Sequence, residues 1–283
     1  MSKIILSADS TCDLDESLKK RYEVNTYPLH IILGEKQYKD GVDITADDIY
    51  KAYEEHHILP KTAAINVKEY MDYFAKWVDQ GYSVIHFNIA SSLSSSFQNC
   101  CIAAETLGNV YPIDSQNLST GTGLLVLEAA EMINKGMKAE AIVEEIKRMV
   151  TKVHSSFVLD TLEFLHAGGR CSALATLGAN LLNIKPCIEV DNTTGKMKVG
   201  KKYRGTLNKV LKKYTKDKLA EYNDLKLDRI FITHSGISDE NIELVRETIE
   251  DTVHFNEILV TRAGCTISAH CGPNTLGILF MTE

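Results

Sequence analysis

The chain has no hydrophobic run long enough to cross a membrane as a helix. Such a helix needs roughly 18 or more consecutive apolar residues, and no stretch approaches that length. The N-terminus carries Lys3 and an apolar run that ends at Leu6, too short for the core of a signal peptide. The composition, 44% hydrophobic and 24% charged, is that of an ordinary globular protein. We therefore expect a folded protein that stays in the cytoplasm.

The cysteines follow no recognisable pattern. There are seven of them, scattered along the chain, and no two form a Cys-x-x-Cys pair. An odd, scattered set fits reduced thiols better than a disulfide framework or a zinc site. The sequence therefore predicts no metal site.

Common signatures of nucleotide chemistry are also missing. The chain contains no Gly-x-Ser-x-Gly elbow, no Gly-x-x-x-x-Gly-Lys-Ser/Thr loop and no Gly-x-Gly-x-x-Gly fingerprint. With 31 basic and 38 acidic residues the net charge is −7, which does not attract nucleic acid over long range. We expect neither a stand-alone nucleotide-using enzyme of a common type nor nucleic-acid binding.

Short β-branched runs alternate with longer helical patterns, which is typical of α/β architecture. The clearest helix is predicted at residues 66–80, where Asn66 and Glu69 have the spacing of a capping box and Gly81 follows as a stop. Strands are predicted at 3–8, 84–89, 110–113, 157–159, 184–190, 196–204, 229–233, 257–261 and 276–281, and further helices at 93–107, 118–133, 139–150, 174–182, from 207 onward and at 239–249.

The length of 283 residues favours two domains, since domains of about 100 to 150 residues are usual. The pattern restarts after Lys152, so we place an N-terminal α/β domain at 1–153 and a C-terminal α/β domain at 154–283. No linker rich in proline, glycine or serine separates them. The two domains should pack closely, and the cleft between packed domains is a common ligand site.

A serine-rich segment at 91–96 lies where a strand should end and a helix begin. Free backbone N–H groups and the positive end of the helix dipole meet there, so the segment suits a carboxylate or phosphate. From the residues alone, helix capping is the more common role of such serines. Both interpretations stay open from the residues alone.

Three further segments carry candidate functional residues. His270 precedes a tight Gly-Pro turn and has the chemistry to donate to an anion, although a lone histidine is often structural. Arg170 follows two glycines, which permit close backbone approach, or it belongs to an ordinary surface turn. Asp9 to Asp13 follow the first strand, where α/β sheets place ligand residues, or form a plain turn.

Residues 196–218 hold ten of the 31 basic residues. Such runs are usually solvated faces. On an acidic protein this one is also a candidate for docking an acidic partner or an anionic membrane surface, with Lys201, Lys202 and Arg204 as the leading residues.

Taken together, these segments resemble the DegV family of bacterial fatty-acid-binding proteins, which includes the binding subunits of fatty acid kinase. The resemblance runs along nearly the whole chain in the family's order. It rests on Asp9-Ser10-Thr11, Lys61-Thr62, Ser91-Ser92-Leu93-Ser94, Asp114-Ser115 with Ser119-x-Gly121-x-Gly123, Gly168-Gly169-Arg170, Lys185-Pro186 and His270-x-Gly272-Pro273. After Ser94 the family usually has Gly-Thr-Tyr, and here stands Ser95-Ser96-Phe97; after Thr62 it usually has Ser-Gln-Pro, and here stands Ala63-Ala64-Ile65.

The resemblance implies two packed α/β domains whose junction holds one long-chain fatty acid. It implies that Thr62 and Ser94 donate to the carboxylate with the backbone N–H of Ser95, that His270 approaches from the second domain, and that Arg170 lies near the head group. It also implies a separate ATP-dependent kinase that phosphorylates the bound carboxylate, with no catalytic residue in this chain. Residues 118–127 and 174–182 are candidate walls of the acyl tunnel, and ordinary core packing explains these residues equally well. The competing hypothesis is a hydrolase or phosphotransferase that uses Ser94 and His270.

Overall fold

The computed structural model describes residues 3–172 and 184–283. The strands are β1 (Ile4–Asp9), β2 (Val24–Tyr27), β3 (His30–Leu33), β4 (Lys36–Lys39), β5 (Lys61–Ala63), β6 (Ser83–Asn88), β7 (Val110–Asp114), β8 (Val153–Val158), β9 (Ile184–Val190), β10 (Met197–Arg204), β11 (Leu225–His234), β12 (Glu257–Arg262) and β13 (Leu276–Thr282). The helices are α1 (Glu16–Arg21), α2 (Ala46–His56), α3 (Val67–Val78), α4 (Ser96–Leu107), α5 (Thr120–Asn134), α6 (Ala139–Met149), α7 (Glu163–Gly168), α8 (Leu207–Leu219), α9 (Asp239–Glu250) and α10 (Cys265–Cys271).

The strands form three sheets. A parallel sheet has the order β2-β1-β6-β7, a mixed sheet has the order β10-β9-β8-β13-β11-β12, and β4-β3-β5 form a small antiparallel sheet. The fold is therefore mixed α/β, as predicted. The change from the parallel to the mixed sheet falls between β7 and β8, close to the predicted boundary at residues 153 and 154. The division into two domains stays a prediction.

Helix α5 lies between the parallel and the mixed sheet. Twelve of its fifteen residues are buried, and it packs with β1 on one side and with β8 and β13 on the other. A helix that is apolar on all sides needs such a position, because it has no face suited to water. Gly123 permits the close approach, since a Cβ there would lie 2.9 Å from the carbonyl oxygen of Cys12. The helix thus joins both sheets into one hydrophobic core.

Most predicted elements appear within a few residues of their predicted bounds. In α3 the Asn66 side chain accepts from the Glu69 N–H and the Glu69 side chain accepts from the Asn66 N–H, which confirms the capping box. The helix predicted from residue 93 begins instead at Ser96, because residues 91–95 form a turn. The predicted helix at 174–182 lies outside the described residues.

The prediction contained no elements between residues 14 and 63, where the structure has α1, α2 and β2 to β5. It also lacked α7 and α10. All of these segments except α2 have three to seven residues, too few to show a clear period. Helix α2 has eleven residues and a capping box formed by Thr45 and Asp48, a signal that the prediction missed. Two of the short segments, β5 and α10, carry residues of the candidate site.

Candidate functional site

A cavity of about 180 Å³ is lined by residues from both sides of position 153. All five predicted head-group residues line it: Thr62, Ser94, Ser95, Arg170 and His270. The remaining wall is mainly apolar and includes Leu29, Ile89, Leu93, Leu118, Leu165, Met197 and Ile267. A second, smaller cavity shares Leu118, Ile267 and Cys271 with it. A polar cluster therefore adjoins an apolar space that extends toward the mixed sheet.

Thr62 and His270 contact each other across this cavity although they are 208 positions apart in the chain. Thr62 lies on β5 and His270 lies in the last turn of α10, with 2.8 Å between Thr62 Oγ1 and His270 Nε2. Burial, with a smaller contribution from the charge of Arg170, lowers the pKa of His270 to about 4. The imidazole is therefore neutral at physiological pH.

The other ring nitrogen identifies the tautomer of His270. Nδ1 is buried and has no hydrogen-bond partner among the described residues. An unpaired buried N–H is less common than an unpaired acceptor, so the proton belongs on Nε2. Nε2–H then donates to Thr62 Oγ1, and the Thr62 hydroxyl proton is free to point to a ligand. The helix, and not the predicted Gly-Pro turn, sets the direction of this histidine.

Gly168 is the last residue of α7, and Arg170 follows it, beside His270. A Cβ at Gly168 would overlap His270 Nδ1, so the absence of a side chain is what lets the histidine fit. This is the close backbone approach that the paired glycines indicated. Arg170 is exposed at the cavity, and its guanidinium donates to the Gly168 carbonyl at 2.7 Å. It places a positive charge near the polar end of the cavity.

Ser94 and Ser95 lie at the carboxyl end of β6, just before α4. The parallel sheet reverses its strand order between β1 and β6, and ligands in α/β folds bind at the carboxyl ends of strands at such a point. The backbone N–H of Ser95 has no hydrogen-bond partner within 3–172 or 184–283. Ser94 Oγ accepts from the Ser96 N–H at 3.2 Å. The N-cap residue of α4 is Ser95, whose side chain makes no capping hydrogen bond, whereas Ser94 accepts from the first N–H of the helix and also lines the cavity.

Two buried aspartates, which sequence reasoning did not connect with the site, hold the beginning of α10. Asp40 accepts from the N–H groups of Cys265 at 2.7 Å and Thr266 at 3.2 Å. Asp13 accepts from the Gly264 N–H at 2.9 Å and from the Ser119 hydroxyl at 2.6 Å. The side-chain oxygens of the two aspartates satisfy free N–H groups at the start of this helix, so they fix the helix that carries His270. Burial raises the pKa of Asp13 to about 8, so its carboxyl is largely protonated at neutral pH. The motif Asp9-Ser10-Thr11-Cys12-Asp13 was the sequence signal for Asp13, and no motif pointed to Asp40.

A Ser–His–Asp chain of hydrogen bonds occurs elsewhere in the protein, with the two imidazole nitrogens exchanged relative to a serine hydrolase. Ser7 Oγ lies 3.0 Å from His86 Nδ1, and His86 Nε2 lies 3.1 Å from Asp9 Oδ1. All three side chains are fully buried, so no substrate reaches them. In contrast, Ser94 and His270 are not hydrogen-bonded to each other. Among the described residues, the Ser94 side chain is bonded to Ser96 and the His270 ring is bonded to Thr62. The pair lacks the nucleophile–base contact of an activated serine.

The predicted docking residues lie on β10, an edge strand of the mixed sheet, and do not line the cavity. Lys201 forms an ion pair with Asp217 at 2.6 Å. Lys202 and Arg204 are exposed and form no ion pair with any residue that the structure describes. Within the described ranges, no group of three or more acidic, histidine or cysteine side chains is arranged to hold a metal ion, and no helix has the length and apolarity to span a bilayer.

Comparison with known proteins identifies relatives along the full length. A DegV domain-containing protein of Clostridium acetobutylicum is 32% identical over 285 residues, covering 100% of both chains. A DegV family protein of Thermus thermophilus, described as binding fatty acid, superposes with a TM-score of 0.91 at 29% identity, covering 99% of this chain and 100% of its own. A stearic-acid-binding protein of Eubacterium ventriosum superposes with a TM-score of 0.85 at 26% identity, covering 100% and 98%.

The family model that matches spans residues 3–283 and is described as an uncharacterised protein family, DegV. The match covers the parallel sheet, the mixed sheet and the cavity residues. This chain therefore belongs to the DegV family.

Proposed function

We propose that this protein binds one long-chain fatty acid, with the carboxylate at Thr62, Ser94 and the Ser95 N–H and the acyl chain in the apolar cavity. The observation that carries the proposal is the Thr62–His270 contact of 2.8 Å at the polar end of an apolar cavity. A carboxylate accepts hydrogen bonds only, and two hydroxyls and an N–H supply donors for it. The fatty-acid-binding relatives from Thermus thermophilus and Eubacterium ventriosum support the same ligand class.

The energetics favour this assignment. Burial of an acyl chain contributes about 0.8 kcal/mol per methylene, so about fourteen methylenes contribute about 11 kcal/mol before the costs of association. Burial of a carboxylate without partners costs several kcal/mol, which is a reason for donors to converge at one end. The Nε2–H tautomer of His270 fits this arrangement, because it leaves the Thr62 hydroxyl proton free for the ligand.

Direct binding measurements test the proposal. Protein purified from a bacterial host is analysed by native mass spectrometry, and the extracted lipid is identified. A single fatty acid near one-to-one stoichiometry is the expected result. Thr62→Val and Ser94→Ala should each weaken oleate binding about 10- to 100-fold, because each removes a hydrogen bond to a charged group. Thr106→Val, at an exposed position of α4, is the control and should leave affinity unchanged. Wild-type affinity in both site variants would contradict the assignment of these donors.

We further propose that the chain presents the carboxylate to an ATP-dependent kinase and does not itself react with ATP. Arg170 and Ser95 are exposed beside the head-group residues, so a second protein has access to this end of the cavity. The oleate-loaded protein is incubated with radiolabelled ATP, with and without a purified bacterial fatty acid kinase. Acyl phosphate should form only when the kinase is present. Formation by this chain alone would identify it as the enzyme.

We propose that the basic edge strand β10 docks an acidic partner protein. Transient contact with anionic membranes is its alternative role. Lys202 and Arg204 carry charges that no described residue neutralises, whereas Lys201 is paired with Asp217. Charge reversal at Lys202 and Arg204 should slow acyl-phosphate formation while oleate affinity stays the same. If reaction rate and vesicle binding are both unaffected, this surface has neither role.

A further inference from the structure

A short turn of the mixed sheet lies against the head-group loop, residues 90–95, which carries Ser94. The turn comprises residues 191–195 and joins β9 to β10. Its last residue, Gly195, is buried and has a φ of +67°, a backbone conformation that favours glycine. A Cβ at this position would lie 2.6 Å from the Cβ of Ala90 and 2.9 Å from Ser92 Oγ. The turn therefore contacts the head-group loop at its first residues.

Ala90 fixes the backbone of Ser94. The carbonyl oxygen of Ala90 accepts from the N–H of Leu93 at 2.9 Å and from the N–H of Ser94 at 3.2 Å. The N–H of Ala90 donates to the carbonyl of Asn117 at 2.9 Å, and Ala90 has no exposed surface. A displacement of Ala90 therefore moves the Ser94 backbone, and the Ser94 hydroxyl with it.

The turn itself is rigid. The side chain of Asp191 accepts from the N–H groups of Thr193 and Thr194, both at 3.0 Å. The Asp191 carbonyl accepts from the Gly195 N–H at 2.7 Å. An aspartate that bonds the backbone of its own turn in this way holds the turn in one conformation.

Two amide side chains attach this turn to neighbouring segments. The Gln116 amide faces two carbonyl acceptors, which assigns its nitrogen to that side. Nε2 of Gln116 then donates to the carbonyls of Thr193 at 2.8 Å and Asn192 at 3.0 Å. The Asn192 side chain donates to the carbonyls of Thr151 and Val153. The turn is thus held between the connection from β7 to α5 and the start of β8, so it has little room to retreat from the head-group loop.

We infer that the turn at residues 191–195 is a positioning element that sets the place of Ser94 at the cavity, with Gly195 and Gln116 as its positioning residues. The inference rests on the proposed fatty-acid site. Two carbon atoms in contact need about 3.5 to 4.0 Å, so a Cβ at position 195 requires Ala90 to move by about 1 Å. The exposed residues of the head-group loop leave space for that movement. A hydrogen bond from Ser94 to a carboxylate weakens steeply when it is lengthened by this amount.

The test is a double-mutant cycle with Ser94 on the full-length protein. Oleate affinity is measured by displacement of a fluorescent fatty acid. Gly195→Ala should weaken oleate binding about tenfold, because the hydrogen bond from Ser94 to a charged group is disturbed. In the Ser94→Ala background the same substitution should weaken it by less than about threefold, because that hydrogen bond is already absent.

The matched control is Gly136→Ala. Gly136 also has a positive φ, +76°, and a Cβ there would have no atom of the described residues within 4 Å. The substitution therefore introduces the same kind of backbone strain without a contact to the head-group loop. Its oleate affinity should equal that of the wild type.

Each other outcome has a distinct meaning. Wild-type affinity in Gly195→Ala, or the same loss with and without the Ser94 hydroxyl, overturns the positioning role and leaves the fatty-acid site standing. Failure of the wild-type protein to bind oleate overturns the proposed function and this inference with it.

A second variant applies if circular dichroism shows that Gly195→Ala is unfolded. Gln116→Met removes the two hydrogen bonds that hold the turn and keeps a side chain of similar length. It should weaken oleate binding about threefold or more in the wild-type background and less than about 1.5-fold in Ser94→Ala. Equal effects in both backgrounds, or none in either, overturn the inference.

Discussion

Acidification should destabilise the protein in part through one histidine, His270. Burial lowers its folded-state pKa from the ordinary 6.5 to about 4. As the pH falls below 6.5 the unfolded chain therefore binds a proton that the folded protein does not, and stability decreases. The effect is absent above pH 7 and levels off below pH 4. At pH 5 linkage gives a loss of about 2 kcal/mol from this residue alone, and the full shift corresponds to about 3 kcal/mol.

Urea unfolding at pH 7, 6 and 5 measures this contribution in the wild type and in His270→Asn. The variant removes the titrating group, so its free energy of unfolding should fall by about 2 kcal/mol less than that of the wild type between pH 7 and pH 5. Burial also lowers the pKa of His154 and of His234. Both histidines are present in the wild type and in the variant, so their contributions to the pH dependence cancel when the two proteins are compared.

Parallel pH profiles of the two proteins would refute this reasoning. They would mean that the pKa of His270 in the folded protein is close to its ordinary value, so that burial does not disfavour the charged ring. A direct check is the ¹⁵N chemical shift of the His270 ring, which distinguishes a neutral from a charged imidazole. A neutral ring at pH 6 is the expected result.

Three further predictions concern the surroundings of the site. Gly168→Ala should weaken oleate binding about tenfold or more in a fluorescence displacement assay, because the new Cβ overlaps His270 Nδ1 and displaces the ring. Unchanged affinity would show that binding does not need the ring in this position. Asp40→Asn should lower the free energy of unfolding, measured by urea titration, by about 1 to 3 kcal/mol, because the acceptor for the α10 N–H groups is weakened. The control is Asp43→Asn on the surface, which should change it by less than about 0.5 kcal/mol. Ile267→Phe should shift the fatty acids extracted from purified protein toward shorter chains, since the side chain borders both cavities; an unchanged chain-length profile would exclude this route for the acyl chain.

Several structural features follow directly from local sequence signals. The helix α3 begins where Asn66 and Glu69 have capping-box spacing, because the cap satisfies N–H groups through side chains three residues apart. Strands β1, β6 and β7 are short apolar runs separated by helices, which is the pattern of a parallel sheet. The order of short motifs along the chain was sufficient to predict the DegV family, and the family match over residues 3–283 confirms it.

The small antiparallel sheet and α10 were not predictable in the same way. Strand β5 has three residues and α10 has seven, so neither is long enough to display a period. Both are stabilised mainly by contacts that are distant in sequence, such as the pairing of β5 with β3 and the capping of α10 by Asp40. Local propensity carries little information about elements of this kind.

The sequence by itself determined which residues have the chemistry to hold a carboxylate, because donors, glycine turns and strand ends are local properties. Only the tertiary structure decided how they are arranged. It brought Thr62 within 2.8 Å of His270 across 208 positions, and it buried Ser7, His86 and Asp9 so that a hydrolase-like arrangement has no access to substrate. It also placed the hydroxyl oxygens of Ser94 and Ser96 3.0 Å apart. These arrangements depend on how sheets and helices pack, and packing is set by contacts between residues far apart in the chain.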